Sequence, residues 1–91
     1  MKSAYELAME RLQKQAPSKV LSPAQKAELA DLESLYKSKI AQIEIEVGDD
    51  IQAAQAKEDF AMVDELRERL AQQRSRLEAE REERRRRIRG D

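Results

Sequence analysis

Apolar residues return along this chain at steps of three and four. Leu29, Leu32, Tyr36, Ile40, Ile43, Val47, Ile51 and Ala54 form one series, and Phe60, Val63, Leu66, Leu70 and Leu77 form a second. Such steps mark one face of an α-helix, whereas a half-buried strand alternates every second residue. Between the two series lie Gln55, Ala56, Lys57, Glu58 and Asp59. Asp59 is suited to cap the second helix, because its carboxylate accepts hydrogen bonds from the N–H groups that open a helix without partners. Reversing the chain at Glu58–Asp59 sets Ala54 against Val63, Val47 against Leu70, Ile40 against Leu77, and Leu29 against Ile88. One choice of turn thus pairs apolar residues along both arms, and it predicts an antiparallel helical hairpin.

A second stop signal competes with the first. Gly48-Asp49-Asp50 reads as a helix end followed by an N-cap. A fold there would set Gln55 and Glu58 against Ile43 and Ile40, and the apolar face would go to waste. The series also passes through Gly48 in phase, from Val47 to Ile51 to Ala54. A glycine inside a helix costs about 1 kcal/mol relative to alanine, which a long helix tolerates. The later turn is therefore the expected one.

Two further start signals divide the rest. Ser3-Ala4-Tyr5-Glu6 fits a capping box, and Tyr5, Ala8, Met9, Leu12 and Ala16 follow on one side. Pro17 closes this short helix. Ser22-Pro23-Ala24-Gln25 opens the next, with Ser22 as N-cap, Pro23 at the first helical position and Gln25 completing a box. The expected organisation is a single all-α domain: a helix over 3–15, a linker over 16–22, a long helix over 23–57, a turn at 58–59 and a long helix over 60–89. The hairpin seam is expected to hold Leu29, Tyr36, Ile40, Ile43, Val47, Ile51, Ala54, Phe60, Val63, Leu66, Leu70, Leu77 and Ile88, with Tyr36 near Arg81. A lone helix as short as the first is marginal in water, so it should dock, either on its own hairpin or on a neighbouring subunit.

Composition narrows the function classes. Charged residues make up 41% of the 91 residues and aromatics 3%, a mixture typical of long helices and coiled coils. The sustained apolar stripe argues against the disorder that so much charge otherwise suggests. There is no Cys and no His, which removes thiol chemistry, most metal sites and most nucleophile–base pairs. No glycine-rich phosphate loop is present, and carboxylates are scarce on the inner faces. An enzyme is not expected, nor is a cofactor or a metal. The first residues lack the apolar segment of a signal peptide, and no run approaches a membrane span, so a cytoplasmic protein with no membrane partner is the expectation.

Two helices make a thin seam and leave Leu7, Leu35, Ile45 and Met62 outside it. Chains this small seldom bury enough by themselves, and self-association, most simply as a dimer, is the expected remedy. Opposite the stripe fall Ala27, Ala30, Ser34, Ser38, Ala41, Ile45 and Gly48. They read either as a second packing face, for the first helix or another chain, or as small residues tolerated on a solvated surface. Charge supplies a direction. Residues 44–68 hold nine acids against Lys57 and Arg67, while residues 74–91 hold eight Arg against five acids. An acidic tip and a basic open end favour two copies side by side, pointing opposite ways.

The run Arg84, Arg85, Arg86, Arg87, with Arg89 beyond, is the candidate polyanion contact. Single-strand binding adds stacking aromatics to clustered cations. No aromatic follows Phe60, and Glu78, Glu80, Glu82 and Glu83 are interleaved with the arginines. Arg at a helix C-terminus also suits the helix dipole, and Glu28, Asp31 and Glu33 lie across the hairpin to pair with it. Nucleic acid is the alternative partner rather than the expected one.

Phe60, then Leu66-Arg67-Glu68 and Leu70, with Ala54 upstream, resembles the UVR motif. That motif is the short helical hairpin of the excision-repair proteins UvrB and UvrC, found also in Clp-type ATPases and the adaptor McsA. The resemblance covers about residues 51–77 and differs at Val63-Asp64, where the family tends to have two Ala. It implies hairpin geometry and protein–protein contact, with Phe60, Leu66 and Leu70 as seam residues and a further protein as partner. The opening MKSAYELAMERL is similar to that of short coiled-coil proteins of planctomycete- and verrucomicrobium-like bacteria, a likeness that carries no activity. The expected function is structural or adaptor work through helix–helix association, with nucleic-acid association through the Arg-rich end as the alternative.

Overall fold

The computed structural model describes residues 3–15 and 20–90, without the side chains of 12–15. It contains three helices, α1 (Ala4–Gln15), α2 (Pro23–Ala56) and α3 (Phe60–Arg89). Helices α2 and α3 pack antiparallel along their length, and the chain as a whole, with α1, measures 77 × 26 × 17 Å.

The start signals behave as their chemistry dictates. At Ser22 the capping box is complete: Gln25 N–H donates to Ser22 Oγ at 3.1 Å, and Ser22 N–H donates to Gln25 Oε1 at 2.9 Å. Gln25 also donates from Nε2 to the Ile88 carbonyl at 3.0 Å, so one side chain caps α2 and ties it to the end of α3. At Ser3 the forward bond of the box is formed, from Glu6 N–H to Oγ at 3.2 Å. Most of the linker, including Pro17, lies outside the described residues.

Helix α2 runs unbroken through Gly48, so the earlier stop signal is not used. The reversal comes at residues 57–59, and α2 ends one residue before the expected Lys57, which serves as C-cap. Glu58 takes the left-handed conformation with φ 58°. Its N–H donates to the Gln55 carbonyl, and the Asp59 N–H donates to the Ala54 carbonyl, both at 3.0 Å. These are the two bonds of a Schellman motif, which satisfy the carbonyls left open at a helix end. Asp59 then caps α3, accepting from Met62 N–H at 3.2 Å.

A left-handed glutamate is strained, because its Cβ crowds the following carbonyl. Glu58→Gly is expected to stabilise the fold by about 1 kcal/mol, since glycine lacks that clash. The urea midpoint should rise; an unchanged or lower midpoint would show that the Glu58 side chain contributes something the turn geometry does not reveal.

The core divides along the rod. Near the tip, Val47, Ala54, Val63 and Leu66 are buried in one cluster, with Ile51 and Leu70 packed against it. Toward the open end, Leu32 and Tyr36 are buried, Tyr36 completely. Leu29, Ile40, Ile43, Leu77 and Ile88 are half-buried along the same seam. One expectation needs correction. Phe60 is 66% exposed and belongs to no seam. Over the Tyr36 ring lies Arg84, 5.5 Å from the centroid and one turn beyond Arg81. In addition, among the described residues no part of α1 packs on α2 or α3, so docking on its own hairpin is not observed. Tyr5, Leu7 and Met9 stand exposed on it.

Candidate interaction surfaces

Three surfaces follow from this geometry: the Arg-rich end, the back of α2, and one flank of the hairpin.

At the open end, the arginines are largely engaged within the chain. Arg85 pairs with Glu33 across the hairpin and with Glu82 on its own helix, each at 3.6 Å. Arg81 pairs with Glu33 at 3.6 Å, and Arg87 with Glu83 at 3.2 Å. Arg84 lies over the Tyr36 ring, as does Lys39 at 5.1 Å, and the Tyr36 hydroxyl donates to Glu80 Oε2 at 3.4 Å. Arg86, Arg87 and Arg89 fall in the last turn of α3, where their charge complements the helix dipole. Farther along, Arg74 reaches Glu44 at 3.6 Å. These pairs are part-exposed and contribute ~0–1 kcal/mol each, so they fix orientation more than stability.

On the back of α2, Ala27, Ala30, Ser34 and Ala41 are exposed and Gly48 is half-buried, with Ile45 65% exposed among them. Among the described residues, α1 does not pack on this face, and Arg81 of α3 reaches only its edge, lining a hollow with Ser34 and Ala41. A Cβ added at Gly48 would meet nothing within 4 Å, so the hairpin itself gives no reason for glycine there.

One flank of the hairpin carries two hollows, a feature the periodicity alone does not reveal. The first, about 410 Å³, lies near the open end. Leu32, Leu35 and Ile88 floor it, and Glu28, Asp31, Arg84 and Arg87 rim it. The second, about 320 Å³, lies at the tip, over Ala53, Ala54, Met62 and Leu66, with Asp50, Lys57 and Asp59 at its rim. On α2 the lining residues of both hollows lie on one side, because 28, 31, 35, 39, 42, 46, 50, 53 and 57 follow one another at steps of three and four. Leu35 and Met62 remain 44% and 40% exposed on this flank.

Among the described residues no group of His, Cys, Asp or Glu is placed to hold a metal ion, and no helix is long and apolar enough to cross a membrane. No family model matches the chain, and no curated protein or solved structure matches it. Of the residues that carry the UVR resemblance, Ala54, Leu66 and Leu70 pack in the seam and Phe60 does not.

Proposed function

We propose that this protein is a non-catalytic structural or adaptor element that acts through helix–helix association with another copy of itself. The supporting observation is its unspent surface. The chain exposes 7471 Å². A compact monomer of 10.5 kDa would expose roughly 5,400 Å². The difference, roughly 2,000 Å² on one chain, exceeds the roughly 800 Å² that each partner buries in a standard association interface. The radius of gyration agrees, at 21.6 Å against about 12 Å for a compact domain of this length. Part of the excess is α1, which stands apart from the hairpin, and part is the row of exposed Leu35, Ile45, Phe60 and Met62.

The polyanion reading draws less support. Arg81, Arg85 and Arg87 already face glutamates, and Arg84 faces the Tyr36 ring. Light scattering tests the preferred reading directly. The expected solution mass is at least twice the 10.5 kDa of the chain. A monomer at all concentrations would remove the basis for self-association, and a salt-sensitive gel shift of single-stranded nucleic acid, lost on Arg84→Gln and Arg87→Gln, would favour the alternative.

A further inference from the structure

We propose that the two-hollow flank is the interface, and that a second copy lies on it antiparallel, with the open-end hollow of each chain over the tip hollow of the other. The inference rests on the self-association reading above and adds to it a face, an orientation and a register.

The carrying observation is charge self-complementarity along α2. Place a two-fold axis across the rod between residues 44 and 45. Asp31 then meets Lys57 of the partner subunit, and Lys39 meets the partner's Asp50. Between them Leu35 meets the partner's Ala53, and Gln42 meets the partner's Glu46. Every pair follows from one register, because the residue numbers of each sum to 88 or 89, and symmetry repeats every pair. On α3 the same axis brings Arg87 to Asp59 of the partner subunit and Arg84 over the partner's Met62. Asp31, Asp50 and Asp59 therefore each meet a cation of the partner, and each apolar floor closes the opposite hollow. The register also brings Arg69 near the partner's Arg76. Both are exposed at the rim, where salt screens a like-charge contact.

A parallel pair is disfavoured by the distribution of charge along the rod. Its two-fold runs along the rod and lays α2 over the partner's α3, so the acidic tip lies on the acidic tip and the basic open end on the basic open end. Like charges in contact discriminate strongly against a wrong orientation.

The chain has no cysteine, so introduced thiols report contacts without background. Leu35→Cys and Ala53→Cys are made separately, and the two proteins are mixed and mildly oxidised. The mixture should form a disulfide-linked heterodimer, while either variant alone should cross-link at least tenfold more slowly. In parallel, Lys57→Asp should weaken dimerisation about tenfold, and adding Asp31→Lys to the same chain should restore it. Light scattering of the unmodified chain separates the two ways of failing. A monomer would sink both the association and this interface. A dimer in which Leu35→Cys alone cross-links readily would overturn the proposed register. A dimer that cross-links in no combination would show that another face is used.

Discussion

Tyr36→Ala should lower the unfolding free energy by about 3–5 kcal/mol, the range for deleting a large buried ring. Tyr36 is the only fully buried large side chain among the described residues, and it carries the open half of the seam. Lys39 and Arg84 both lie over its ring, and Leu32 is the buried residue one turn away. Removing the ring empties the seam where its other members, Leu29, Ile40 and Leu77, are only half-buried and cannot close the gap. Domains of this size have total stabilities of order 5–15 kcal/mol, so the loss is a large share of the whole. The hydroxyl matters far less. Its contact with Glu80 is 3.4 Å, long for an O–H donor, and Tyr36→Phe should cost below about 1 kcal/mol. Urea denaturation at fixed protein concentration measures both, because association makes stability depend on concentration. Equal losses in the two variants would mean that the hydroxyl network, not the ring, holds this end.

Leu66→Ala should cost about 2–5 kcal/mol, from lost transfer energy and the cavity left behind. Leu66 is only 5% exposed, among Val47, Ala54 and Val63, beside the reversal. The turn itself holds α2 and α3 at a fixed spacing, so the helices cannot collapse onto the missing methyls. Leu70→Ala, one turn along and half-buried, should cost less than Leu66→Ala. Since Leu66 also floors the tip hollow, the variant should lose more stability where the chain is associated than where it is dilute. A cost below 1 kcal/mol would show that the tip cluster does not hold the arms together.

Much of this architecture is legible in the residues, and the exceptions have physical causes. The turn is legible because two signals coincide: the apolar phase of both arms and a carboxylate able to cap. Phe60 misleads because it stands in phase but at the first position of α3. Opposite it lies the turn itself, beyond Ala54, so no seam residue is there to receive the ring. Pairing residues at equal height along the rod puts Arg81 on Tyr36. Long helical side chains lean toward their own N-terminus, and that lean brings Arg84 back onto the ring as well. The tie from Gln25 to the Ile88 carbonyl is not legible, because a single glutamine serving both cap and cross-link leaves no pattern. The hollows depend on where side chains of two helices stop short of each other, which periodicity in either helix does not encode.

Asp59 closes one helix and opens the next within a single residue, so the reversal is specified by a handful of neighbouring positions. From there, each successive contact joins residues farther apart in sequence, up to the separation of 63 between Gln25 and Ile88. Joining the distant ends first would demand a large loss of chain freedom, whereas proceeding outward adds one short step at a time. The molecule therefore assembles like a zipper drawn from its closed end, and it comes apart from the other. Amide exchange slowest at residues 50–56 and 63–70, the hydrogen-bonded turns flanking the reversal, and fastest near 25 and 88 is the record such an order leaves.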